Sequence, residues 1–309
     1  MNIIYMGTPE FAVPTLECLY NEGHNILLVI TQKDKPKGRG KKIQFPPVKS
    51  KALELGLEVY QPDNINDRES IDMICGLNPD IIVVAAYGQI LKKEILDMPK
   101  YGCINVHASL LPKYRGAAPI NWVIINGEVN TGIAIMKMEE GLDTGDVILS
   151  KSIDINDNDD YLTIHDKLAD IGGKLTVEAI KELAEGRANF SPQDDSKSSY
   201  APMIYKETGH IDWNKSGVEI FNLVRGLKPW PIAYTDYNGE NLKIHKVEFI
   251  EQTNKDIYGK IEKVSKDGIY VNVKDGYIII KELQFPGKKV LTVGQYLAGN
   301  NIEVGIVLK

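Results

Sequence analysis

The sequence predicts an α/β domain built on a mostly parallel sheet, followed by a small all-β domain. Over the first half, short apolar runs alternate with amphipathic stretches, and that βαβ rhythm implies a parallel sheet covered on both faces. Beyond about residue 230 the pattern changes to short alternating runs separated by Asn-Gly and Asp-Gly pairs, which are hairpin signals. A length of 309 residues, 43% of them hydrophobic and 25% charged, leaves room for both domains.

Taken in order, residues 3–5 read as a first buried strand. The lead MNIIYMG is too short, and lacks the basic start, for a signal peptide. Thr8 before Pro9 marks a helix start for the helically spaced 9–22. Residues 26–30 form the second strand. The connection 32–46 then runs for 15 residues, long against the roughly 2–6 usual between a strand and a helix. Helical spacing returns at 47–55 and 67–77, with a strand at 81–84. Residues 103–107 alternate as a strand, so Asn105 and His107 project from the same face at its end. Ligands of such sheets bind beyond the carboxyl ends of the strands. Alone, the pair reads as a turn former and a satisfied buried histidine.

Two strands, 131–138 and 147–153, flank a turn at 141–145, and 161–185 is one long helical stretch. Residues 187–210 are polar and Ser-rich, a linker by composition. A short helix at 217–227 leads into strands at 232–237, 241–250, 257–264, 269–273 and 276–285. Five short strands suggest a small barrel, and OB and SH3-like plans fit the count equally well.

No apolar run approaches a bilayer-spanning length. Cys18, Cys75 and Cys103 are isolated, without metal-type spacing, as expected of free thiols in a reducing cytoplasm. A net charge of −6 argues against a nonspecific nucleic-acid coat protein. Yet Lys33, Lys35, Lys37, Arg39, Lys41, Lys42 and Lys49 crowd into residues 32–49 against Asp34 alone. From 203 to 309 the balance is only 15 basic to 13 acidic residues, so any binding face there must come from how charges sort in space. No GxGxxG follows the first strand and no GxxxxGK[ST] occurs, so nothing supports nicotinamide or ATP. There is no zinc-type cluster and no GxSxG. The chemistry left is acid–base and electrostatic, with the reactive group brought by a carrier.

Residues 101–119 read YGCINVHASLLPKYRGAAP. This resembles the signature of the folate-dependent formyltransferases, NxHxSLLPxxRG, at Asn105, His107, Ser109, Leu110, Leu111, Pro112, Arg115 and Gly116. MGTPEFAVPTL (6–16), KPKGRGKK (35–42), PPVK (46–49), EEGLDTGD (139–146) and VRGLKPWPIAY (224–234) are similar to the branch of that family that formylates a charged tRNA. The match is collinear over nearly the whole chain. The resemblance implies a Rossmann-like formyltransferase domain over 1–186, a linker over 187–210, and an OB-like tRNA-binding domain over 211–309. It implies transfer of the formyl group of 10-formyltetrahydrofolate to the α-amino group of methionine on initiator methionyl-tRNA. That reaction serves translation initiation in the cytoplasm and uses no metal, nicotinamide or ATP; a monomer is expected.

Acyl transfer from an amide-like donor needs the attacking amine deprotonated, the developing oxyanion held and the leaving nitrogen protonated. Asn105 offers an amide N–H, and His107 an imidazole that gives or takes a proton near neutrality. Asp143 can orient that ring as a triad aspartate does. An Asp in DTGD is ordinarily a turn former, and Asp146 lies nearby; only the resemblance selects Asp143 and makes Asn105, His107 and Asp143 the catalytic trio. By resemblance, Ser109–Pro112 is the folate-binding loop, with Tyr87, Gly88, Gln89 and Ile90 lining the same pocket. Lys37, Arg39, Lys41 and Lys42 match the tRNA-reading insertion, with Arg39 the candidate for discrimination and the lysines for phosphate contacts. The rivals are formylation of an amino-sugar nucleotide, hydrolysis of formyltetrahydrofolate, and a non-catalytic RNA-binding protein. Trp230, between two prolines, offers a ring that could stack on RNA but reads rather as a structural tryptophan at a domain junction.

Overall fold

The computed structural model describes residues 1–37, 42–253 and 257–309. Its strands, in chain order, begin with β1 (Asn2–Gly7), β2 (Asn25–Ile30), β3 (Lys35–Lys37), β4 (Lys42–Gln44), β5 (Val59–Tyr60) and β6 (Ile81–Ala85). They continue with β7 (Cys103–His107), β8 (Arg115–Gly116), β9 (Asn130–Lys137), β10 (Val147–Asp154) and β11 (Tyr200–Ala201). The helices are α1 (Val13–Asn21), α2 (Pro47–Glu54), α3 (Arg68–Leu77), α4 (Lys93–Leu96), α5 (Pro119–Ile125), α6 (Tyr161–Ala184), α7 (Gly217–Gly226) and α8 (Val293–Leu297). Two compact units result. The first comprises Met1–Gly116, Asn130–Asp154 and His165–Ala201; the second comprises Ala117–Val129, Ile155–Ile164 and Pro202–Lys309.

The first unit carries a sheet in the order β10-β9-β7-β6-β1-β2-β5. It is parallel from β7 to β5, while β9 runs antiparallel to β7 and β10 to β9. Ile81–Ala85 is buried throughout, as a strand covered on both faces must be. The expected helix at 67–77 is α3; its N-cap Asp67 accepts the Ser70 N–H at 2.8 Å, and it ends at Asn78 in a left-handed conformation. Thr8, just past β1, ties neighbouring strand ends together. Its hydroxyl donates to the Tyr87 carbonyl (2.9 Å) and accepts from the Gln32 N–H (3.3 Å).

Helix α6 packs directly behind β7. A Cβ at Gly172 would fall 2.9 Å from Val106 Cγ1, and one at Gly173 would fall 2.8 Å from Cys18 Sγ and from the Pro14 carbonyl. Glycine costs about 1 kcal/mol in a helix interior, and here it permits that close approach. Gly172→Ala is therefore expected to lower stability, because overpacking costs about 1–3 kcal/mol against the propensity gain. Denaturant melts should show an earlier midpoint at unchanged slope; a later midpoint would contradict this packing.

The long basic connection is not an open loop on its flanks. β3 and β4 pair antiparallel, Lys35 opposite Gln44 and Lys37 opposite Lys42. Residues 187–210, expected as a linker, divide between the units, and 187–201 belong to the first.

The second unit adds β12 (Ala233–Tyr237), β13 (Glu240–Glu251), β14 (Ile261–Ser265), β15 (Gly268–Val273), β16 (Gly276–Gln284) and β17 (Leu291–Thr292). They form an antiparallel sheet in the order β12-β13-β16-β15-β14, with β17 also on β16. Among the described residues, no ladder joins β12 to β14 to close a barrel. At the β12–β13 turn, Asn238 and Gly239 both take positive φ (52° and 85°), the type I′ geometry that the Asn-Gly pair supplies. Trp213, Ile244, Val271 and Ile278 sit in its core. Trp230, in contrast, is 57% exposed.

Candidate active site

β7 lies between β6 and β9, with Asn105 opposite Val84 and Met136 and His107 opposite Ala134. The period-2 alternation puts both side chains on one face, while Val106 packs against α6 on the other. His107 is buried. Its Nε2 lies 3.0 Å from the Tyr114 carbonyl and its Nδ1 lies 3.6 Å from Asp143 Oδ2. Both ring nitrogens thus face oxygen acceptors; a doubly protonated ring donates to both, a neutral ring to one. The Asn105 amide nitrogen is 3.5 Å from Asp143 Oδ1. One carboxylate therefore sits between amide and imidazole, at the long edge of hydrogen-bond distance, a spacing common in catalytic groups before substrate arrives. Of the two aspartates in the turn, Asp143 is the one placed here. Its Oδ2 accepts a full-strength bond from the Gly116 N–H (2.8 Å).

The turn reaches this position because β9 and β10 pin its base. The Met138 N–H donates to the Cys103 carbonyl (2.8 Å) and the Lys137 N–H to the Asp146 carbonyl (2.9 Å). A Cβ at Gly145 would lie 1.8 Å from the Lys137 carbonyl oxygen, so no other residue fits there without moving backbone. Asp143 itself has φ of 53°, a left-handed conformation that Asp tolerates better than most. Two residues before Asn105 on β7, burial pushes the Cys103 thiol up from its ordinary value, which keeps it in the unreactive thiol form.

The Ser109–Pro112 segment closes on itself. The Ser109 hydroxyl, fully buried, donates to the Lys113 carbonyl at 2.6 Å. Leu110 packs over Gly132 of β9. With the serine hydroxyl occupied, backbone groups and half-buried apolar side chains are what this loop offers a ligand. The 87–90 segment divides similarly. Ile90 is exposed, and the Gln89 side-chain amide oxygen, Oε1, accepts the Ile65 N–H (2.8 Å). The Tyr87 ring is buried among Ile4, Met6, Val84 and Leu91. Its hydroxyl has no hydrogen-bond partner among the described residues, and burial raises its phenol pKa. Tyr87→Phe is therefore expected to hold or raise stability by about 1 kcal/mol, since an unpaired buried hydroxyl is a cost. It should also leave unchanged the KM of a substrate bound beside this segment; a raised KM would show that the hydroxyl serves the ligand.

Two members of the basic stretch are already engaged. Lys33 pairs with Asp63 (2.5 Å), and Lys49 pairs with Asp34 (2.8 Å) and donates to Gln61. The Lys49 bonds first, and the Gln61 amide donating to Asp34 Oδ1 (2.9 Å) second, hold the Asp34 carboxyl below its ordinary pKa. Lys37 and Lys42 are the last residue of β3 and the first of β4. Arg39 and Lys41 lie outside the described residues. Among the described residues, no group of three or more His, Cys, Asp or Glu is placed to hold a metal. No helix there is long and apolar enough to cross a membrane.

Sequence reasoning did not pick out three groups that bear on Asp143 and His107: the Tyr114 carbonyl, the Gly116 N–H and Gln193, whose amide nitrogen donates to the Asp143 (2.9 Å) and Gly145 (2.7 Å) carbonyls. The first two lie inside the quoted signature, where a backbone role leaves no mark on residue type. Gln193 lies in the polar segment and carried no signal.

Residues 1–180 match the formyl transferase family and residues 203–301 the formyl transferase C-terminal domain. A methionyl-tRNA formyltransferase of Clostridioides difficile (strain 630) is 52% identical over 308 residues, covering 100% of both chains. One from Caldanaerobacter subterraneus subsp. tengcongensis is 52% identical over 310 residues, again covering 100% of both. Among solved structures, the sugar 3N-formyl transferase WlaRD superposes with a TM-score of 0.67 at 23% identity, covering 94% of this chain and 99% of its own. An N-formyltransferase from Helicobacter canadensis superposes with a TM-score of 0.66 at 21% identity, covering 90% and 97%. These two likenesses establish the shared fold; the full-length relatives establish the lineage. The chain belongs to the methionyl-tRNA formyltransferase family.

Proposed function

We propose that this chain transfers the formyl group of 10-formyltetrahydrofolate to the α-amino group of methionine on initiator methionyl-tRNA, for translation initiation in the cytoplasm. The observation that carries the reading is the convergence of Asn105 and His107, each within 3.6 Å of the Asp143 carboxylate, in a chain half identical to its relatives along its whole length. The amine attacks the formyl carbon and loses a proton; the formyl oxygen becomes negative; the C–N bond to the folate breaks as that nitrogen regains a proton. Asn105 donates to the oxyanion, His107 carries the proton, and Asp143 supports the charge on His107. No metal, nicotinamide or ATP is needed, because the donor arrives already carrying its formyl group.

In this reading Ser109, Leu110, Leu111 and Pro112 border the folate through backbone and apolar groups, with Gly88, Gln89, Ile90 and the Tyr87 backbone opposite. Lys37, Arg39, Lys41 and Lys42 meet the tRNA, which makes binding strongly salt-dependent. The formyl-transfer domain spans 1–186 with 187–201 packed in the same unit, and 211–309 is the tRNA-binding domain; the enzyme acts as a monomer. The test is incubation with 10-formyltetrahydrofolate and initiator Met-tRNA, beside elongator Met-tRNA and a blank without tRNA. Formyl-methionine on the initiator alone supports the reading. Tetrahydrofolate release without acceptor would indicate a hydrolase, and turnover only with an amino-sugar nucleotide would overturn the tRNA assignment.

A further inference from the structure

The turn bearing Asp143 is exposed along 139–142, and its aspartate sits in a left-handed conformation. Such a conformation persists where surrounding structure over-determines it, and the pinned base alone leaves the tip free. Beyond the Gly116 N–H bond to the carboxylate, restraint comes from residues 191–201. Ser191 exchanges two backbone hydrogen bonds with Val147 (both 2.9 Å). At the other end, the Ser199 carbonyl accepts the Arg115 N–H (2.9 Å), its hydroxyl accepts the Tyr114 N–H (2.9 Å), and β11 pairs with β8. Between these anchors stands Gln193. Its amide nitrogen donates to the Asp143 carbonyl (2.9 Å) and to the Gly145 carbonyl (2.7 Å). Its amide oxygen accepts from Arg115 Nε (3.1 Å) and Nη2 (2.8 Å).

All four hydrogen-bonding positions of the Gln193 amide are thereby used. Arg115 is 2% exposed, and a buried guanidinium is costly unless paired. Its partners are Gln193 and, at 2.8 Å, the outward-facing Asp195. The arginine thus fixes which way the amide points, and the amide holds the backbone on both sides of Thr144. Glutamate would keep the arginine contact but lose both donors; asparagine would be one methylene short.

We propose that Gln193 is a positioning residue for formyl transfer, holding the Asp143 carboxylate against His107 and Asn105 through the Asp143 and Gly145 carbonyls. This rests on the formyl-transfer reading of the site. Gln193→Leu is expected to lower kcat about 10- to 100-fold, as sub-ångström to ångström misplacement of a reacting group does, with the formyl donor's KM little changed. Because Gln193 acts through Asp143, adding Gln193→Leu to Asp143→Ala should cost no further rate within about twofold, whereas independent effects would multiply. If the leucine variant does not fold, Gln193→Glu, which retains size and the Arg115 pairing, should show the same kcat loss and the same lack of additivity. A wild-type activity on initiator Met-tRNA with a Gln193 variant within about twofold of it would overturn this inference, as would multiplicative losses in the double variant. Absence of wild-type formylation would instead overturn the functional reading beneath it.

Discussion

Asn105→Ala is expected to lower kcat for formyl transfer by about 10²- to 10³-fold, the usual effect of deleting one oxyanion donor. The expectation follows from what the amide lacks. Asn105 sits on an interior strand, fixed between Val84 and Met136, yet the side-chain contact described for it is the 3.5 Å approach to Asp143. A half-buried amide held rigidly with donor capacity to spare is aimed at something other than the protein. When the formyl carbon becomes tetrahedral its oxygen gains charge, and a donor already in place stabilises it without reorganisation. Truncation leaves no strong protein partner unpaired, so thermal unfolding should change little, which separates rate from folding. Asn105→Asp sharpens the test, since it keeps the shape, removes the donor and adds a negative charge beside Asp143. It should be slower still than the alanine variant. Single-turnover rates at saturating donor measure both, and an alanine variant within about tenfold of wild type would remove Asn105 from the chemistry.

How much of this was legible depends on the range over which each feature is encoded. The parallel strands were legible because Ile81–Ala85 and its neighbours are apolar and buried on both faces, which needs no partner to be recognised. Asn105 and His107 were legible as a pair because strand alternation is local. The choice between Asp143 and Asp146 was not, because it is made by a contact to β7 across 38 positions. Gln193 was invisible for the same reason: its partners are 50 and 78 residues away, and its segment, satisfied by other parts of the first unit, shows no periodicity of its own. The basic stretch read only as a long connection, because Lys35–Lys37 and Lys42–Gln44 are too short to announce the β3–β4 pairing. In the second unit the hairpin turns were written in Asn-Gly and Asp-Gly, but strand order is a long-range property, so composition left the barrel type open.

His107→Asn is expected to lower kcat by about 10²- to 10⁴-fold, the range a positioned general acid or base contributes. It should also cost stability, and the two effects have different origins. The ring is buried, and its Nε2 faces the Tyr114 carbonyl at 3.0 Å. The shorter asparagine cannot reach that oxygen, and losing one such hydrogen bond costs about 0.5–1.5 kcal/mol. Tyr114 itself has φ of 59° and is held by Ser199 on one side and His107 on the other, so the loss weakens the anchor of the whole 114–116 turn, including the Gly116 N–H that binds Asp143. His107→Gln tells the contributions apart. Glutamine reaches further and can donate to the Tyr114 carbonyl, restoring much of the stability, but it cannot carry a proton between amine and folate nitrogen. The glutamine variant should therefore melt closer to wild type than the asparagine variant while remaining as slow. Recovery of rate along with stability would mean that His107 only supports the turn, and the proton would then have to travel by another group.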